Sequence, residues 1–243
     1  LSYIDALIKL ERLSDARQVL DQGRLSGLQG DKLAQLDARL ESLGGKISSL
    51  EEQLKGLITL HQQGRYQDAL ERGVTLSNQY PEDPNIPNII GAAYAGLKKY
   101  EEAITYYNQA IQLKPDYAQA FNNLGITQKE LGRYEEAVGS YNKAIKIKSD
   151  FFEAHNNLGV ALNELGKQSE AIESYTNSIE INPNFSQAHN NLAVTLSVLG
   201  QYQEAVSSCQ TALKINSSYV EAYYNLGIAL DGLGKTDEAI ANY

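Results

Sequence analysis

A four-residue signature returns along this chain at a fixed interval. Asn122-Asn123-Leu124-Gly125 recurs as Asn156-Asn157-Leu158-Gly159, as Asn190-Asn191-Leu192-Ala193 and as Tyr224-Asn225-Leu226-Gly227, each 34 residues after the last. The same step upstream lands on Gly91 and, in a weaker copy, on Leu57. A period of this size marks a stacked-repeat architecture, in which one unit cannot bury its apolar face alone and each neighbour covers the next.

Taking the small residue as position 8 divides the chain into 50–83, 84–117, 118–151, 152–185, 186–219 and an incomplete 220–243. Position 20 is then Ala69, Ala103, Ala137, Ala171, Ala205 and Ala239, and position 32 is Pro81, Pro115, Ser149, Pro183 or Ser217. Within 118–151, Phe121, Leu124, Gly125 and Gln128 share one helical face, and Ala137, Tyr141, Ala144 and Ile145 share a face of a second helix. That second helix opens on Glu135-Glu136, where the helix dipole favours anions, and stops before proline or serine. This register resembles the tetratricopeptide-repeat (TPR) family over about four fifths of the chain. The resemblance implies an all-α superhelix of antiparallel helix pairs with a peptide-binding concave face.

Small residues at positions 8 and 20 have a packing reason, because helix axes approach to about 8–10 Å only where crossing side chains are small. Gly132, Gly166, Gly200 and Gly234 each follow a first helix and read as its C-terminal stop, not as a phosphate cradle, since no strand precedes them. Tyr94, Tyr107, Tyr134, Tyr141, Tyr175 and Tyr202 fall on packing positions and read as core.

Residues 1–49 do not keep the register and read as an irregular helical segment with a degenerate TPR-like pair around Leu10-Glu11-Arg12-Leu13. Leu33, Leu36, Leu40 and Leu43 form a stripe expected to end at Gly44-Gly45, after which Ile47, Leu50, Leu54 and Leu57 begin another helix. Four helices are therefore expected ahead of the 50–243 array, serving as a cap, with homo-oligomerisation through the leucine stripes as the rival reading. The last repeat stops at Tyr243, its position 24, so further repeats or another domain are expected to follow.

The formal charge of -9 argues against a nucleic-acid partner, which needs clustered Lys and Arg. No apolar run is long enough to span a bilayer, and no leader is visible, so the expected location is cytoplasmic. The lone Cys209 sits at a core position and suits a reducing compartment. His61, His155 and His189 lie in separate repeats, and no His, Cys or carboxylate spacing fits a metal site. No nucleophile has an evident base. No catalytic residue, cofactor or metal is expected, and the fragment is not read as an enzyme.

Packing leaves the asparagines unexplained. Position 5 is Asn88, Asn122, Asn156 and Asn190; position 6 is Asn123, Asn157, Asn191 and Asn225. These rows resemble the asparagine ladder with which O-linked N-acetylglucosamine transferases hold extended peptides, which implies a groove lined by these residues together with Glu153 and Glu221 at position 2. An Asn amide both donates and accepts, and so satisfies both groups of a peptide unit. A structural role, in which the amides bond neighbouring helices, stays open. The absence of basic residues at position 2 (Asn85, Gln119, Glu153, Gln187, Glu221) disfavours a chaperone-tail clamp and favours peptides carrying some Lys or Arg. The expected function is a protein-interaction scaffold binding an extended partner segment. The alternative is the substrate-recruiting arm of a larger bacterial glycosyltransferase or sulfotransferase, whose TPR regions look similar from Leu57 to Gly159.

Overall fold

A computed structural model describes residues 2–9, 13–25 and 30–241. The chain divides into two compact units, Leu1–Gln63 and Gly64–Tyr243.

The first unit holds α1 (Ser2–Lys9), α2 (Leu13–Leu25) and α3 (Asp31–Gln62). Ile4, Leu7 and Ile8 of α1 and Ala16 and Leu20 of α2 form one core with Leu33, Leu36 and Leu40 of α3, against which Val19 and Leu43 also pack. Arg17 bonds Asp37 at 2.7 Å and Arg39 bonds Asp5 at 3.2 Å along the edges of this core. One expectation changes here. Helix α3 runs unbroken through Gly44-Gly45, so the described residues of the segment hold three helices where four were expected. An interior glycine costs only about 1 kcal/mol against alanine, which a helix anchored by packing on its first half can absorb. The Leu33, Leu36 and Leu40 stripe packs on α1 and α2. The turn read at Leu10-Glu11-Arg12-Leu13 falls largely on 10–12, outside the described residues.

The second unit is a solenoid of consecutive helix pairs: α4 (Tyr66–Gln79), α5 (Asn85–Gly96), α6 (Tyr100–Leu113), α7 (Ala118–Glu130), α8 (Tyr134–Ile147), α9 (Phe152–Glu164), α10 (Gln168–Ile181), α11 (Ser186–Val198), α12 (Tyr202–Ile215), α13 (Val220–Gly232) and α14 (Thr236–Ile240). The fold is all-α, as the repeat implied. Each odd-numbered helix from α5 onward is the first of its repeat and packs on the even-numbered helix after it, and α5, α7, α9 and α11 also pack on the first helix of the next repeat. The position-20 alanines from Ala69 to Ala239 are all buried at these crossings.

The turn inside each pair shows why glycine recurs at position 15. After α7, the Arg133 amide donates to the Gln128 carbonyl at 2.9 Å and the Gly132 amide to Lys129 at 2.9 Å, a Schellman-type closure that places Gly132 at φ 73°. Gly166, Gly200 and Gly234 repeat that conformation, and Lys98 holds the same place at φ 59° without being glycine.

Candidate functional site

The asparagine rows meet across the repeats. Asn123 Nδ2 donates to Asn88 Oδ1 at 3.1 Å, Asn157 to Asn122 at 3.1 Å, Asn191 to Asn156 at 2.9 Å and Asn225 to Asn190 at 2.9 Å. Each bond joins position 6 of one repeat to position 5 of the repeat before it. The periodicity makes this contact repeat, because residues 35 apart occupy the same relation at every junction.

The two rows therefore differ in what they present. Asn88, Asn122, Asn156 and Asn190 are buried, with Asn156 only 1% exposed. Their amide oxygens, taken out of water, need the donors that the next repeat supplies. Asn123, Asn157, Asn191 and Asn225 are half-buried and keep a second N–H each. The Asn123 side-chain oxygen also accepts from Gln119 Nε2 at 3.0 Å. At the first junction the network extends to Tyr117, whose hydroxyl donates to Asn85 Oδ1 at 2.7 Å and meets Asn88 Nδ2 at 3.5 Å. Tyr219 occupies the same position three repeats on, beside Asn190; burial pushes both phenols up, and the neighbouring amide partly offsets it.

Helical spacing places positions 2, 6, 9 and 13 on one face. On α7 these are Gln119, Asn123, Ile126 and Glu130; on α9, Glu153, Asn157, Val160 and Glu164; on α11, Gln187, Asn191, Val194 and Val198; on α13, Glu221, Asn225, Ile228 and Gly232. An open depression of about 380 Å³ between α11 and α13 is lined by Val194, Val198, Asn225, Ile228, Asp231 and Tyr202 among others. A second, of about 810 Å³, is lined by Asn190, Val220, Glu221, Tyr224 and Asn225. The predicted residues Glu153 and Glu221 thus share a face with the position-6 asparagines, Glu221 exposed and Glu153 half-buried.

The row that the asparagines obscured is apolar. Ile126, Val160, Val194 and Ile228 run beside the position-6 amides, with Ile126 37% and Ile228 38% exposed. Its sequence signal was a β-branched aliphatic recurring at position 9, one residue after the conspicuous small residue.

The histidines at position 4 pin turns to helices. His155 Nε2 lies 3.1 Å from the Ser149 carbonyl oxygen, His189 Nε2 3.0 Å from that of Pro183, and the Tyr223 hydroxyl donates to Ser217 at 3.3 Å. The two imidazole rings are half-buried at the turn. A carbonyl acceptor at position 32 explains why proline and serine exchange there, since both keep that group. Among the described residues no group of three or more His, Cys, Asp or Glu could hold a metal ion, and no helix is long and apolar enough to cross a membrane.

Stacked helix pairs, inter-repeat amide bonds and an open polar-apolar face define a repeat scaffold. Tetratricopeptide-repeat profiles match residues 83–150, 152–185 and 174–207, and a TPR-repeat profile matches 199–234, so the chain carries a tetratricopeptide-repeat array. Similar solved structures include Pseudomonas aeruginosa pilF (17% identity, 82% of this chain and 90% of that one, TM-score 0.73) and PilW, a type IV pilus biogenesis factor (20%, 80% and 90%, TM-score 0.73). YrrB, described as a TPR protein with an unusual peptide-binding site, also matches (20%, 70% and 88%, TM-score 0.58). At these identities the likeness is one of fold. No curated protein matches.

Proposed function

We propose that the face shared by α7, α9, α11 and α13 binds an extended segment of a protein partner, making the chain an interaction scaffold. The observation that carries this is the division of labour between the asparagine rows. Position 5 is spent on joining repeats, whereas Asn123, Asn157, Asn191 and Asn225 are held by their single inter-repeat bond in a fixed orientation with amide hydrogens left over. Pre-oriented amides lose little freedom on binding. Each hydrogen bond contributes about 0.5–1.5 kcal/mol net, so several must act together with apolar burial to reach the about 8 kcal/mol of micromolar affinity. The position-9 row offers that burial. The alternative, a recruiting arm of a glycosyltransferase or sulfotransferase, draws no support from the relatives found, which share the repeat fold alone.

Alanine variants of the asparagines test stability as well as binding, because each removes the donor of a buried amide oxygen. The cleaner experiment screens a diverse peptide library against the whole chain and against an Ile126→Glu/Ile228→Glu variant, changed only at exposed positions, with helicity checked by circular dichroism. Binding lost in the helical variant supports the groove; binding retained at full strength overturns it.

A further inference from the structure

We propose that the segment bound on this face is a basic stretch in polyproline II conformation with an aliphatic side chain at every third residue. This rests on the peptide-binding reading above and adds the register and charge of the ligand.

The register follows from matching two spacings. The first helices of successive repeats are in direct contact, tied by Asn–Asn bonds of 2.9–3.1 Å, which holds their axes at the about 8–10 Å of packed helices. At position 9 each of the four helices contributes one β-branched aliphatic to the face: Ile126, Val160, Val194 and Ile228. A ligand crossing these helices therefore meets an apolar contact about every 8–10 Å. A β-strand returns side chains to one side every two residues, about 6.6 Å, and falls out of step after the first contact. Polyproline II has three residues per turn and rises about 3.1 Å per residue, so residues i, i+3 and i+6 share one side at about 9.3 Å. Its backbone groups are all unpaired, which suits the remaining hydrogens of the position-6 amides beside the apolar row.

Charge sets the remaining positions. From position 2 to position 13 of the four helices the charged residues are Glu130, Glu153, Glu164, Glu221, Asp231 and Lys129. Lys129 pairs with Glu130 at 2.8 Å. Glu153, Glu164 and Glu221 have no cationic partner among the described residues. Eleven residues of helix separate positions 2 and 13, about 16 Å, so the carboxylates form two rims around the central amide and apolar rows. Lysine and arginine between the aliphatic anchors reach either rim.

The test uses three fluorescent peptides of identical composition, rich in Val, Lys and Pro, with valine at every second, third or fourth residue, titrated against the full 243-residue chain by anisotropy. The expected result is affinity at least tenfold tighter for the three-residue period, lowered by Ile126→Ser/Ile228→Ser and, at low salt, by Glu153→Gln/Glu164→Gln. Equal affinities, a preference for another period, or no binding by any of the three overturns the register. If library peptides still bind and the Ile126→Glu/Ile228→Glu variant still abolishes that binding, the groove itself stands; if library binding is also absent, the groove reading fails with it.

Discussion

The ring of Tyr141 lies across Gly125 so closely that a Cβ on the glycine would sit 2.6 Å from Cε1. Gly159 meets Tyr175 at 2.6 Å and Gly91 meets Tyr107 at 2.8 Å in the same way. Because Tyr141 is fully buried, the ring has nowhere to retreat. Gly125→Ala is expected to destabilise by about 1–3 kcal/mol through overpacking. Gly139, on the same helix pair, provides the contrast, since a methyl added there would meet nothing within 4 Å. Gly139→Ala is expected to stabilise by about 0.5–1 kcal/mol through helix propensity. Urea unfolding of both variants checks the pair.

One repeat solves the same crossing with different residues. Where the second, third and fourth repeats place glycine against tyrosine, the fifth places Ala193 and Cys209 in one buried cluster. The extra methyl of the alanine and the smaller thiol are complementary, so the sites should couple. Cys209→Tyr alone is expected to lose about 1–3 kcal/mol against the Ala193 methyl. Adding Ala193→Gly recreates the pairing of the neighbouring repeats and should recover most of that loss. A double-mutant cycle reads the coupling; additive effects would sink this account.

The three buried tyrosines at this position are not equal either. The Tyr107 hydroxyl has Thr127 beside it and the Tyr175 hydroxyl has Thr195, both at position 10 of the following repeat, and each threonine partly offsets the rise that burial causes in the phenol. Midway between, position 10 is Ala161, and the Tyr141 hydroxyl is buried with no partner. Tyr107→Phe and Tyr175→Phe should each cost about 1 kcal/mol, whereas Tyr141→Phe should be neutral or stabilising because it deletes an unsatisfied group. Ala161→Thr supplies the missing partner and is expected to stabilise; chemical denaturation ranks all four.

Most of these contacts are legible in the repeat register. Position 8 glycines, position 20 alanines and position 15 turns are each fixed by a contact that recurs whenever the period does, so their spacing encodes their packing. The asparagine rows are legible as a pattern but not as a geometry: adjacent residues on one helix point about 100° apart, and only the placement of the next repeat decides which amide is covered. The position-9 row is hidden because an aliphatic on an amphipathic helix reads as core by default. The first 49 residues stay obscure for the opposite reason, since without a period a Gly-Gly pair signals a break that packing on Leu33, Leu36 and Leu40 overrides.

Lys98 is the one non-glycine residue at positive φ among those described, at φ 59° where Gly132, Gly166, Gly200 and Gly234 stand near 72–74°. A side chain in this left-handed region costs about 1–2 kcal/mol, partly offset by the greater unfolded-state entropy that glycine carries. Lys98→Gly is therefore expected to stabilise by about 0.5–1 kcal/mol. A thermal melt no higher than the parent would show that the turn tolerates lysine without strain.

Alkaline pH should unfold the array through the same buried groups. Burial pushes the Cys209 thiol up to about 12, from an ordinary value of 9.0, and raises the phenols of Tyr107, Tyr141 and Tyr175 above theirs of 10.0. In the unfolded chain these groups release protons near their ordinary values; in the native state they hold them. The native state thus binds more protons from about pH 9 upward, and stability falls as pH rises through that window. The slope approaches about 1.4 kcal/mol per pH unit for each group once its unfolded form is ionised and its folded form is not. Below about pH 8 these groups leave stability unchanged. The urea midpoint should accordingly stay level from about pH 7 to 8 and drop beyond about pH 9, first by the thiol and then by the phenols. Cys209→Ala should flatten the first part of that drop and leave the second, and at about pH 7 a thiol reagent should modify Cys209 only as fast as the array opens.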